Sequence, residues 1–318
     1  MRPPRKETEV AKVAILGGSG MLGGMIVEYF AAKTSHEIIA TVRSDASLAA
    51  WRKALPRVKW QLFAPKGTEA ELSLGAVGEC EWIINAIGVI KPLIKDDNAE
   101  QIERAIRINS LFPYRLGEAA ACTGAKVLQI ATDCVYSGTV GSYTESALHD
   151  PTDVYGKTKS LGECRLPAVS HLRCSIIGPE FGRKLSLLEW FLGQARGAKL
   201  NGFRNHLWNG VTTLQYARLC AGVVDKRLEL PHLLHVVPGD RLTKAEMLGA
   251  FARAYGRSDL DIQVTDAAVA VDRTLATNQV DLNRAVWQAA GYTEAPGVAQ
   301  MVEETARFPL AFRAGSVG

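Results

Sequence analysis

Val10-Ala-Lys-Val-Ala-Ile-Leu16 runs straight into Gly17-Gly-Ser-Gly-Met-Leu-Gly23. The first seven residues are mostly apolar, as a buried strand requires. Beyond the glycines, Met21, Leu22, Met25, Ile26, Tyr29 and Phe30 recur at helical spacing. The stretch therefore predicts strand, glycine turn, helix. Glycines let a backbone turn tightly and approach a pyrophosphate, which then sits on the helix N-terminus. Two registers overlap: Gly18, Gly20 and Gly23 match G-x-G-x-x-G, and Gly17, Gly20 and Gly23 match G-x-x-G-x-x-G. A bare tight turn is the competing reading; the flanking strand and helix argue against it.

Further strands follow at intervals suited to intervening helices. Glu37-Ile-Ile-Ala-Thr-Val42 is a second, ending at Arg43-Ser44. Val58–Phe63 reads as a third, Trp82–Gly88 as a fourth with Asn85 to Gly88 at its tip, Val127–Ala131 as a fifth, and His171–Ile177 as a sixth. Asn98–Cys122 reads as one long helix interrupted at Pro113. A proline disturbs the bond to the carbonyl four residues earlier, so the Asn109 carbonyl is expected to be free to accept from a water; a mere kink is the alternative. Alternating strands and helices predict an α/β fold, a doubly wound parallel sheet of Rossmann type. The rhythm breaks after Pro179. We therefore expect a dinucleotide-binding domain over residues 1–178, with a mobile tail at 1–9, and a smaller C-terminal substrate-binding domain over 179–318. Thr212 or Thr213 is placed to cap a helix reaching about Val224, Leu233–Val237 reads as a short strand, and Thr243–Tyr255 as a helix. Part of 211–237 is expected to pack back on the sheet.

Chemistry gathers at Tyr155-Gly-Lys-Thr-Lys159. Residues four apart on a helix share a face, so Tyr155 and Lys159 would project into one site. A free tyrosine has a pKa of about 10, and a nearby ammonium is expected to lower it. A Tyr–Lys pair alone is usually a half-buried ring beside a solvated lysine, so the surroundings must carry the reading. They include Thr132 at the carboxyl end of the fifth strand, where open α/β sheets place ligands.

Composition bounds the rest. At 318 residues with 47% hydrophobic and 22% charged residues, the chain can bury a sizeable core. A net charge of +4 is too small to argue for nucleic acid. No apolar run is long enough for a membrane span, and no signal-peptide core precedes the first strand. The six cysteines show no metal-ligand spacing, so neither metal nor disulfides are expected, and a cytoplasmic location fits.

The glycine turn, Asn85-Ala-Ile-Gly88, Asn109, Thr132 and Tyr155/Lys159, in that order, resemble the extended short-chain dehydrogenase/reductases. Ala131-Thr-Asp-Cys-Val-Tyr-Ser-Gly138, Tyr143-Thr-Glu145 and Pro151-Thr-Asp-Val-Tyr-Gly-Lys-Thr-Lys159 resemble more narrowly the dTDP-4-dehydrorhamnose reductases. The resemblance covers roughly residues 10–180. It implies Tyr155 as proton donor, Lys159 on the nicotinamide ribose, Thr132 on the substrate carbonyl, Asp133 beside the sugar, and Asn109 in a proton relay. It implies a dinucleotide held by Gly17, Gly20, Met21, Leu22, Gly23, Arg43, Ser44, Ala86, Ile87, Gly88, Ile130, Tyr155 and Lys159. Substrate would meet Thr132, Asp133 and Tyr155. No carboxylate stands at the tip of the second strand, where NAD selection usually places one, and Arg43 there suits a 2′-phosphate; NADP (NADPH) is expected, with NAD also usable.

Departures from the pattern narrow the reaction. Cys134 stands where related dehydratases place a glutamate, which disfavours dehydration. No acidic residue follows the third strand at Phe63-Ala64, and Ile176 follows Ser175 where the reductases commonly have an aromatic. The implied activity is reduction of a 4-keto nucleotide-sugar. A nucleotide-sugar epimerase with bound NAD is an alternative, against which Arg43 argues. So is a non-catalytic NADP-binding module, since the regulatory β subunit of methionine adenosyltransferase resembles the same reductases. A homodimer is one assembly open to such a chain.

Overall fold

A computed structural model describes residues 9–65, 77, 79–182 and 184–314. Of the tail expected over residues 1–9, residues 1–8 lie outside the described residues. Seven parallel strands form the central sheet: β1 (Lys12–Leu16), β2 (Glu37–Val42), β3 (Lys59–Leu62), β4 (Trp82–Asn85), β5 (Lys126–Ala131), β6 (Val169–Arg173) and β11 (Leu233–His235). Their spatial order is β11-β6-β5-β4-β1-β2-β3. The order reverses between β1 and β4, and such switch points open the crevice in which α/β sheets bind ligands.

β1 shows why the sheet needs two helical layers. Val13 and Ile15 belong to one apolar cluster and Ala14 and Leu16 to another, and all four are fully buried. A strand buried on both faces reads as a continuous apolar run, as this one does. One cluster takes in Met25, Ile26 and Phe30 of α1 (Met21–Lys33). The other takes in Phe112, Leu116 and Ala120 of α4 (Phe112–Thr123). Next after β2 in the chain is α2 (Asp45–Ala54), whose Trp51 joins the cluster of α1; it is capped by Ser44, whose hydroxyl accepts from the Ser47 amide.

The single helix expected over Asn98–Cys122 is three pieces: α3 (Ala99–Ala105), a wide π turn over Ile106–Leu111, and α4. Pro113 offers no N–H, and just before it the Phe112 amide reaches back five residues to the Arg107 carbonyl. The expected sixth strand over 171–177 is also divided. β6 ends at Arg173, and β7 (Ile176–Ile177) leaves the main sheet to pair with β10 (Val211–Thr212). The turnout follows from hydrogen bonding, because the Ser175 carbonyl accepts from the Val211 amide at 2.9 Å.

The catalytic-type segment is α5 (Val154–Leu161), whose Asp153 side chain accepts from the Gly156 amide. After α6 (Leu187–Leu192), the remaining strands make small accessory sheets. β8 (Lys199–Phe203) pairs with β13 (Asp261–Thr265), and β9 (His206–Trp208) lies between β12 (Leu242–Thr243) and β14 (Val271–Asp272). Thr212 caps α7 (Thr213–Lys226), which packs on α1, and β11 pairs with β6 in the main sheet. Thr243 caps α8 (Lys244–Ala254) through a capping box with Glu246. α9 (Val280–Ala289) packs on α7, and α10 (Val298–Arg307) on α8. The final helix α11 (Ala311–Ala314) lies on α2: Phe312 stacks on Trp51 with centroids 4.2 Å apart. The Ala311 and Phe312 amides donate to the buried Glu28 carboxylate at 3.0 and 2.8 Å. Among the described residues no helix is long and apolar enough to cross a membrane.

Candidate active site

The glycine turn sits at the end of β1. Gly17 has φ +81°, a left-handed conformation that glycine adopts without steric cost. Its amide donates to the Thr41 hydroxyl at 3.0 Å, and the Gly18 amide donates to the Thr41 carbonyl at 2.7 Å. Gly20 is the N-cap of α1 and no side chain caps that end, so Met21, Leu22 and Gly23 form an uncapped first turn. First-turn amides have no partner within their own helix and present positive charge to a phosphate. A Cβ on Gly23 would lie 2.2 Å from the Gly17 carbonyl oxygen, so the turn is as tight as a backbone cradle can be. The cradle and its bare amides fit a dinucleotide pyrophosphate.

Arg43 and Ser44 are exposed at the tip of β2, on the same edge of the sheet as that turn. At the tip of β4, Ala86 donates its amide to the Leu16 carbonyl at 3.1 Å and Ile87 to the Asn85 side chain at 3.0 Å. Ile87 then stands against Gly17. Gly88 lies beside the Asn109 side chain.

Asn109 is buried at 2% exposure inside the π turn. Its amide group clasps Val89, accepting from the backbone N–H at 2.8 Å and donating to the C=O at 2.9 Å, and donates to the Thr158 hydroxyl at 3.2 Å. It thereby ties the loop after β4 to α5. Its backbone carbonyl lies against Gly162, the C-cap of α5, where a Cβ would come within 1.9 Å. Asn109→Ala strips both polar groups of the buried Val89 backbone. Each unsatisfied buried group costs about 1–3 kcal/mol, so the variant is expected to lose roughly 2–6 kcal/mol of stability. Urea unfolding checks this through its midpoint at unchanged slope; a wild-type midpoint would show that Val89 finds other partners.

Tyr155 and Lys159 lie on α5 next to Thr132 and Asp133 at the end of β5. Thr132 accepts from the Cys134 amide at 3.2 Å and donates to the Asp133 carboxylate at 3.2 Å. The expectation of a lowered tyrosine pKa is reversed. Desolvation of the hydroxyl, with the Cys134 thiol and the Asp133 and Asp153 carboxylates, pushes Tyr155 above its ordinary value of 10.0, while a hydrogen bond with Thr132 opposes this. Burial and the two nearby carboxylates each disfavour a phenolate. Lys159 is 8% exposed and its ammonium donates to the Ile130 carbonyl at 2.9 Å. Burial first, then Arg173, lower Lys159 from 10.5 to about 8, while Glu163 holds it up. The Ile130 carbonyl also accepts from Gln129, whose Oε1 in turn accepts a hydrogen bond from the Asn85 side-chain amide at 2.7 Å.

Asp133 is buried, and burial raises its pKa against the pull of Arg273. Arg273 comes from the far end of the chain and donates to the Tyr136 and Ser137 carbonyls at 2.9 and 3.2 Å. No spacing in the sequence announces it, because 137 residues separate it from Tyr136. Ser175 is a second late arrival, hydrogen-bonded to Asp133. Among the described residues no cluster of His, Cys, Asp or Glu could hold a metal ion.

Comparisons with known proteins bear on the family and the fold. A family model described as RmlD substrate binding domain matches residues 11–178. Methionine adenosyltransferase 2 subunit beta of Rattus norvegicus is 23% identical over 284 residues, covering 86% of this chain and 81% of that protein. A dTDP-4-dehydrorhamnose reductase of Mycolicibacterium smegmatis is 26% identical over 165 residues, 51% of this chain and 43% of the relative. Among solved structures, dTDP-4-dehydrorhamnose reductase of Bacillus anthracis in complex with NADP superposes with a TM-score of 0.71 at 16% identity, covering 93% of this chain and 99% of that one. At such identity the likeness speaks for the fold.

Proposed function

This chain belongs to the RmlD substrate binding domain family, and on that premise we propose that it is an NADPH-dependent reductase of a 4-keto nucleotide-sugar. The observation that carries the proposal is the convergence of Thr132, Tyr155 and Lys159 at the carboxyl edge of a sheet whose first turn is an uncapped glycine cradle. When bound, NADPH supplies a hydride to the keto carbon. Tyr155 stays protonated at neutral pH and gives its proton to the alkoxide so formed. Thr132 holds the keto oxygen beside that phenol. Lys159 turns from the Ile130 carbonyl to the nicotinamide ribose. Asn109 keeps the loop after β4 and α5 in register, with a proton relay through its carbonyl part of the same proposal. Cys134, whose thiol is raised by burial, supplies no acid for dehydration.

Arg43 is proposed to read the 2′-phosphate. Charge-assisted hydrogen bonds contribute about 1.5–3 kcal/mol. Arg43→Ala is therefore expected to weaken NADPH binding by about ten- to 150-fold and to leave NADH nearly unchanged. Fluorescence titration of both cofactors checks it; equal losses would assign Arg43 to the fold or the adenine.

A second reading is a dinucleotide-binding module without turnover, favoured by the similarity to the methionine adenosyltransferase subunit along 86% of the chain. NADPH oxidation with a panel of 4-keto nucleotide-sugars separates the two. Turnover supports the reductase. Tight NADPH binding with no oxidation across the panel supports the module, and absence of binding overturns both.

A further inference from the structure

Asn85 and Gln129 stand directly opposite each other where the ladder between β4 and β5 ends. Both are buried, at 1% and 2% exposure. A buried side-chain amide needs partners for its oxygen and its nitrogen, and these two find them in a chain. The Ile87 amide donates to Asn85 Oδ1 at 3.0 Å, Asn85 Nδ2 to Gln129 Oε1 at 2.7 Å, and Gln129 Nε2 to the Ile130 carbonyl at 3.1 Å. Both ends fix its direction. A backbone N–H only donates and a backbone C=O only accepts, so neither side-chain amide can be turned round.

The Ile130 carbonyl is the junction. Alternate residues of a strand present their backbone groups to the same neighbour. Lys126 donates its amide to Glu81 on the β4 side, so Ile130 also faces β4. There β4 has already ended at Asn85. The amide that a continued β4 would offer, that of Ile87, goes to the Asn85 side chain instead. Two side chains take its place: Gln129, and the Lys159 ammonium at 2.9 Å. A carbonyl oxygen has two lone pairs, so it holds both donors at once. A pair that merely filled the core would need only each other. This one ends on the loop that meets the glycine turn and on the acceptor that holds the lysine.

We propose that Gln129 is the positioning residue that frees Lys159 for the cofactor ribose, because it keeps the Ile130 carbonyl hydrogen-bonded when the ammonium leaves. This inference rests on the dinucleotide reading of the site. With Gln129 present, the carbonyl gives up one of two donors. Without it, Lys159 is the last side-chain donor to that carbonyl among the described residues. The ammonium must then stay behind or leave a bare carbonyl beneath the dinucleotide, and either weakens binding.

NADPH affinity measured by fluorescence titration tests it without requiring turnover. Gln129→Met keeps the length of the side chain and deletes the donor. It is expected to weaken NADPH binding at least about fivefold, the low end of what a bare buried carbonyl costs. The deciding measurement is a double-mutant cycle with Lys159→Met, in which no ammonium can leave. In that background the Gln129 change is expected to alter affinity by less than about twofold, since the carbonyl is as bare before binding as after. The Asn85 amide loses its partner in both backgrounds, so that cost cancels. Gln129→Asn, too short to reach from Asn85 to Ile130, takes the same place in the cycle if Gln129→Met does not fold. Equal losses in both backgrounds, or no loss in a folded variant, overturn the proposal and leave the amide pair a piece of the core. Wild-type protein that binds no NADPH overturns the dinucleotide reading itself, and the inference with it.

Discussion

Tyr155→Phe is expected to lower kcat by about 10²–10⁴ while leaving NADPH affinity within about twofold of wild type. The substitution keeps the ring's packing and removes only the acid. The structure sharpens this expectation. With its pKa pushed up by burial and by Asp133 and Asp153, the phenol carries its proton throughout the neutral range. A protonated donor needs no prior uptake step, so reduction should be insensitive to this group between pH 6 and 8, within roughly twofold. Steady-state kinetics on a reducible 4-keto nucleotide-sugar checks both points. Near-wild-type turnover by the Phe variant would remove Tyr155 from the chemistry.

Gly23→Ala is expected to be the most damaging single change at the cofactor end. The new methyl group would lie 2.2 Å from the Gly17 carbonyl oxygen and 2.7 Å from its carbon. Both are backbone atoms, so no side chain can swing aside. Relief must come from spreading the turn between β1 and α1, and overpacking of this kind costs about 1–3 kcal/mol. Spent on the cradle, that energy corresponds to roughly a 5- to 150-fold loss of NADPH affinity. Thermal unfolding and cofactor titration on the same variant check it. Unchanged affinity would mean that the pyrophosphate does not rest on this turn.

Much of the sheet was legible because its strands are buried on both faces and so appear as apolar runs in order. The glycine turn was legible because backbone crowding leaves glycine as the tolerated residue at Gly17 and Gly23. Legibility ends where partners are distant in sequence. Cys174-Ser175 lies inside the strand expected over 171–177, yet the strand leaves the sheet there, since the partner of Ser175 is Val211. Arg273 reaches Asp133 from the far end of the chain. The direction of the Tyr155 shift depends on burial and on carboxylates that the Tyr–Lys spacing does not reveal. Glu163 and Arg173 looked like ordinary charges, because nothing local says that a guanidinium will be wholly enclosed by two imidazoles, a phenol and a carboxylate.

The docking of α11 on the first half of the sheet has a consequence for synthesis. Glu28 is among the earliest residues made, and the amides it accepts belong to residues 311 and 312. Trp51 likewise waits for Phe312. As the chain emerges from the ribosome, the glycine turn, α1 and α2 can assemble, but the Glu28 carboxylate and one face of the Trp51 indole wait for residues 311 and 312. Contacts of such sequence separation close late. Removing residues 311–314 would leave a chain that has every site residue but no partner amides for Glu28 and no Phe312 on Trp51.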